Sequence, residues 1–149
     1  MTADQAVAGR GRSSEPQLWS ISSEDDGSLA IIVISLHRAE SANERDALLG
    51  AGIVATVEEL AAVGDRRAIV DVRTTDAVGS ERAWESFIQA ARGLVQSLAL
   101  ERGSAAGPIN LMISSTDQED DRRGTVAYLG SDNGDFSWGA CYDLRGETT

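Results

Sequence analysis

Two hydrophobic periods alternate along this chain. Leu29–Leu36 (LAIIVISL), Arg67–Thr74 (RAIVDVRT) and Ile109–Ser114 (INLMIS) are runs of apolar, often β-branched residues. Runs of that length and type predict strands buried on both faces of a parallel sheet. Between them the apolar positions recur every three or four residues. Ala83–Arg102 (AWESFIQAARGLVQSLALER) predicts a helix of about five turns. Its apolar stripe is Trp84, Phe87, Ile88, Ala91, Leu94, Val95 and Leu98. A second stripe of small residues, Ser86, Ala90, Gly93 and Ser97, suits close approach by another helix. An earlier helix is capped by Ser41 or Asn43 and runs to about Val63, with Leu49, Ile53, Val57 and Leu60 on one face and Glu58 and Glu59 on the other. Gly64-Asp65 ends it.

The flanks complete the picture. Gln17–Ser22 (QLWSIS) alternates as a short edge strand does, and Ser23–Ser28 (SEDDGS) is an acidic turn without full calcium-loop spacing. If the first long strand lies at a sheet edge, Gln17–Ser22 folds back on Leu29–Leu36 as an antiparallel cover. After the third run come the acidic segment Thr116–Arg123, a short helix near Thr125–Leu129 and a last strand around Gly139–Leu144. The expected fold is α/β: a partial Rossmann-like three-layer sandwich, with four mostly parallel strands plus the antiparallel edge strand. Residues 1–16, small and polar, are expected to be a flexible tail, and residues 17–149 a single domain.

Composition narrows the chemistry. The net charge of −11 argues against nucleic acid and anionic membrane surfaces, which need basic patches. All 13 basic residues are arginines, so Schiff-base chemistry, a P-loop lysine and any Tyr-Lys couple are excluded. A single histidine (His37) and a single cysteine (Cys141) leave no internal disulfide and make a Cys/His metal site improbable. With no signal-like N-terminus and no run of membrane-spanning length, the expected location is cytoplasmic.

The segment SLALE, at Ser97–Glu101 after a small-residue helix, resembles the active-site helix of the short-chain dehydrogenase/reductase family. INLMIS followed by TVAYLGSDNGDFSWGACYDLRG resembles that family's ending, with matches at Asn110, Leu129, Ser131, Asp132, Phe136, Gly139, Asp143 and Gly146. LAIIVISL and AIVDVRTT are similar to its fourth and fifth strands. Aligned on SLALE, the family's catalytic tyrosine position falls on Trp84, its lysine position on Ile88, and its serine position on Thr74 or Thr75; a loose placement puts its asparagine near Leu49. Indole only donates and isoleucine cannot tune a neighbour, so the resemblance implies no catalytic residue at Trp84, Ile88 or Thr74. Ser115-Thr116 replaces the family's proline-glycine, and AGRGR at Ala8–Arg12 follows no strand, so it is not the glycine-rich turn that cradles the cofactor. The chain is therefore expected to bind no cofactor.

What the resemblance retains is assembly. The family associates through a four-helix bundle and through its last strand with the helix before it. The counterparts are Asp46–Val63 and Ala83–Arg102 for the first surface, and Thr125–Leu144 for the second. This implies a pseudo-enzyme subunit that pairs with a full-length NAD(P)-dependent dehydrogenase/reductase, or with itself. Ser86, Ala90, Gly93, Ser97, Phe136 and Trp138 are the expected interface. The other reading is a small independent enzyme or ligand-binding protein, using a cleft at the strand ends with His37, Arg38, Asp71, Arg73, Thr74 and Thr75. Its N-terminal third, DDGSLAIIVISLHRAESAN, resembles the crotonase family through His37, Arg38, Ala39, Asn43 and Glu44, without that family's oxyanion-hole glycine pair. In either reading Asp71 and Arg73 are expected to be a mutual salt bridge or separate solvated groups.

Overall fold

The computed structural model describes residues 12–13, 18–25, 27, 29–37, 41–74, 82–103 and 106–145. Strands β1 (Arg12–Ser13), β2 (Trp19–Asp25), β3 (Leu29–Leu36), β4 (Arg67–Thr74), β5 (Ile109–Ser115) and β6 (Cys141–Asp143) form one sheet in that order. β2 is antiparallel to both of its neighbours, β1 and β3, and β3 to β6 are parallel. The fold is α/β and Rossmann-like, as the run pattern predicts. β2 covers the edge of β3 in register from Trp19 opposite Leu36 to Asp25 opposite Ala30. Trp19 and Ile21 are buried, so this edge is closed by core packing as well as by hydrogen bonds. β2 extends through Ser23–Asp25, so the turn is shorter than the expected Ser23–Ser28. Within the stretch expected as a tail, Arg12 and Ser13 pair with Ile21 and Ser20.

Strand parity divides the core in two. Ala30, Ile32, Ile34 and Leu36 join Val70, Val72, Leu111 and Ile113 on one face. Leu29, Ile31, Val33, Ile69 and Met112 occupy the other. After α1 (Ala42–Ala47), which buries no residue, a π-helical turn (Leu48–Gly52) and α2 (Ile53–Val63) cover the first face together with α3 (Arg82–Arg102). Trp84, Phe87, Ile88, Ala91 and Val95 of α3 are all buried there. The second face is covered by α4 (Glu119–Leu129), which begins well before the expected Thr125. Glu119, Asp120 and Asp121 lie in its first turn, where the helix dipole favours negative charge. The strand order never reverses from β3 to β6, yet α4 sits opposite α2 and α3. The β5–β6 crossover therefore has the opposite hand to the two before it, a departure from uniform right-handed crossovers.

The π turn revises the face assignment of the second helix. Ser41 caps it, its hydroxyl accepting from the Glu44 N–H at 3.1 Å. Beyond the π turn the phase is shifted from a regular helix. Leu48, Ala55, Thr56, Glu59 and Leu60 are buried, Leu49 and Ile53 are half-buried, and Val57 is exposed. Glu59, expected outside, is inside. The turn also brings Gly52 against α3, where an added Cβ would stand 2.9 Å from Phe87 Cε1. Phe87 is fully buried, so its ring has nowhere to move. Gly52→Ala is expected to lower stability by about 1–3 kcal/mol in urea unfolding. Gly93→Ala, with nothing within 4 Å of the new Cβ, should leave the monomer unchanged or up to about 1 kcal/mol more stable.

Candidate functional site

Thr74, Trp84 and Ile88, the positions singled out by the sequence resemblance, lie in the α2/α3 layer or just beside it. Thr74 is buried at the end of β4, and its hydroxyl faces the Ser114 carbonyl at 3.5 Å. Trp84 and Ile88 are core residues of α3. The Trp84 indole N–H is buried and meets no acceptor among the described residues. Its side chain can donate but cannot exchange a proton at ordinary pH, and Ile88 offers neither charge nor hydrogen bond. His37 follows β3 and belongs to the hairpin: its N–H donates to the Leu18 carbonyl at 2.8 Å, and its Nε2 lies 3.5 Å from Ser20 Oγ. Arg38, Thr75 and Gly146 lie outside the described residues. Among those described, no cluster of three or more His, Cys, Asp or Glu is placed to hold a metal.

The densest chemistry lies on the opposite face, under α4. Asp71, in the middle of β4, is fully buried. Its carboxylate accepts from Ser114 Oγ at 2.8 Å and from Arg122 Nε at 2.7 Å. Arg122, nearly buried on α4, also donates to Glu24 of β2 at 3.2 Å and lies 3.7 Å from Glu119. Arg73 shares the sheet face of Asp71 but pairs with Glu119 on α4. The expectation that Asp71 and Arg73 pair with each other or with water is thus corrected: each has its own partner on α4. Burial pushes the Asp71 carboxyl up, against the pull of Arg122 and Ser114. The Arg73 hydrogen bond holds Glu119 below the usual carboxylate range. An acidic residue inside an apolar strand run is the signal that foretells a buried partner, because an unpaired carboxylate there costs too much.

Two further polar hubs fix the chain end. Asn110 Nδ2 donates to the Ser137 carbonyl at 2.9 Å, and its Oδ1 accepts from Ser137 Oγ at 3.1 Å and from the Ala140 N–H at 2.9 Å. Arg67 donates to the carbonyls of Leu129 and Ser131 at 2.9 and 3.0 Å and pairs with Asp135, so it closes the C-terminal end of α4. Of the residues singled out as sequence matches, Leu129 and Ser131 meet at Arg67, and Asn110 centres the other hub. Of the other matched positions, Asp132 opens a 3-10 turn (Asp132–Phe136), Gly139 takes φ 66°, and Asp143 pairs with Arg145. Cys141 is half-buried against the α3 layer, and the Tyr142 hydroxyl reaches Ser137 Oγ at 2.5 Å.

The expected interface residues are on the surface. Gly93 and Ser97 are exposed and Ser86 and Ala90 half-buried, all facing away from the α3 core stripe. Phe136 is 87% exposed and Trp138 38%. Trp138 Nε1 donates to the Asp135 carbonyl at 2.9 Å. No helix among the described residues is long and apolar enough to cross a membrane. No family model, curated protein or solved structure matches this chain.

Two outcomes test the electrostatics of the α4 face. Asp71→Ala strands a buried guanidinium and should cost about 3–5 kcal/mol, whereas Asp71→Leu with Arg122→Leu should cost less than the single change, both read by urea unfolding. Glu119 contributes stability that is fully present above its unfolded pKa of about 4.3 and is lost as pH falls through its lowered folded value. Glu119→Gln should therefore narrow the difference between stabilities measured at pH 7 and pH 3. Asp71, raised by burial, works in the opposite sense.

Proposed function

We propose that this chain is a non-catalytic subunit resembling a short-chain dehydrogenase/reductase, which pairs with a full-length catalytic member of that family and stabilises or completes it. The observation that carries this reading is the outward side of the α2/α3 layer. On the π turn and α2 the exposed positions include Gly50, Ala51, Val54, Val57 and Ala61. On the adjacent α3 they include Gly93, Ser97 and Leu100, with Ala90 half-buried. In a chain of net charge −11, these small and apolar positions, interspersed with the exposed Glu58, Arg92 and Glu101, offer apolar surface of the kind an interface centre uses. Small side chains on both helices permit close helix approach and burial of backbone against backbone. Thr74, Trp84 and Ile88 supply no acid–base couple, which supports a structural role over chemistry. NAD(P), in this reading, belongs to the partner.

The test is co-expression with a full-length dehydrogenase/reductase of the native host that carries its own tyrosine–lysine pair, followed by chromatography with mass determination. A stoichiometric complex is expected. Gly93→Leu should weaken it at least about tenfold while leaving monomer unfolding intact, since that position is open in the isolated chain. A protein that stays monomeric at every concentration, alone and with such partners, would sink the proposal and return attention to the strand ends near His37.

A further inference from the structure

Gly124 divides α4 into halves of different character. Residues 119–123 read EDDRR and carry no apolar side chain. The bonds that dock this half to the sheet are ionic. Arg122 reaches Asp71 at 2.7 Å and Glu24 at 3.2 Å, and Glu119 pairs with Arg73. Asp120, Asp121 and Arg123 are exposed. Residues 125–129 are docked by apolar packing instead. Leu129 is buried and joins Val126 in the cluster of Leu29, Ile31 and Met112. Arg67 then clamps this end, donating to the carbonyls of Leu129 and Ser131 at 2.9 and 3.0 Å.

The two kinds of docking resist opening unequally. An ion pair taken out of water gives back much of its attraction as lost hydration, whereas apolar packing is undone only by re-exposing its area. Where the halves meet stands glycine, the poorest helix former after proline. Neither a close approach nor a positive φ calls for a glycine there: a Cβ added to Gly124 meets nothing within 4 Å, and its φ is not positive. Arg122 and Arg123 also wall a pocket of about 520 Å³, lined on other sides by Glu24, Ile31 and Val126.

We propose that residues 119–123 form a flap that opens as one unit about Gly124 while residues 125–129 stay docked. Opening parts Arg122 from Asp71 and Glu119 from Arg73 together, because both leave on the same stretch of chain. It removes the wall that Arg122 and Arg123 give the pocket, and it brings water to Asp71 and Ser114, both buried when the flap is closed. The flap is latched by charge and hinged where the helix is weakest.

Native-state amide hydrogen exchange on the full chain, read residue by residue by NMR in low urea, tests this. The amides of Arg122, Arg123, Gly124 and Thr125 are expected to share one protection factor and one small urea slope, at least about tenfold below the protection of Leu129 and Gly130. Arg122→Gln should lower that shared protection at least about tenfold further. Arg67→Gln should lower protection at Leu129 and Gly130 and leave the first set unmoved, because the clamp stays made when the flap opens. Leu129→Ala asks the same question if Arg67→Gln does not fold. Equal protection along the whole of α4 would overturn the proposal, as would an Arg67 or Leu129 variant that lowers both sets alike, since the helix would then leave the sheet in one piece. Protection that climbs steadily from Arg122 to Leu129 with no shared slope would also overturn it, being the fraying of an ordinary helix end.

Discussion

The Asp71–Arg122 ion pair is the interaction on which the second face of this molecule depends. α4 has few apolar residues to offer the sheet: Val126 and Leu129 pack against the β3–β5 core, while much of the helix is acidic and exposed. What holds its N-terminal half to the sheet is a buried carboxylate in β4 reached by an arginine from the helix. The same guanidinium spans from Asp71 to Glu24, so one side chain ties together the central strand, the edge hairpin and the covering helix. Such a pair contributes less net stability than its geometry suggests, because both ions lose their water. What it supplies is position. An apolar helix is free to slide along the sheet; a helix whose arginine must meet Asp71 is not.

The first face is built on the opposite principle. There α2 and α3 bury Trp84, Phe87, Leu60 and Val95 in an apolar cluster, and Gly52 lets one helix close on the other. The two layers thus divide the work. One is a hydrophobic slab packed by apolar side chains, and the other is a charged cover pinned at a few points. The proposed role in assembly belongs to the slab, and solubility belongs to the cover.

Much of this was legible in the sequence, for identifiable reasons. The long strands and α3 have one period throughout, and a uniform period translates directly into buried and exposed sides. The antiparallel cover by Trp19 follows from the need to protect an apolar edge. What escaped prediction depends on contacts between distant segments. Asp71 in β4 and Arg122 in α4 are 51 residues apart, and nothing local joins them. The face of α2 was misassigned because a regular helical wheel was applied across Leu48–Gly52, where the helix is not regular. The N-terminal end of α4 was missed because its first turn, Glu119–Asp121, reads as a solvated acidic loop, although acids suit a helix N-terminus.

The π turn has one more consequence. A π turn holds one residue more than the α turn it replaces, while the helix on either side keeps its course. Leu48–Gly52 therefore behaves as a spliced-in spacer. A chain one residue shorter in this stretch has an uninterrupted α helix available to it, with the flanking faces still aimed where they are now. The region is a natural seam for length variation, and two chains of this architecture whose sequences differ by a single-residue gap here would still superimpose helix upon helix.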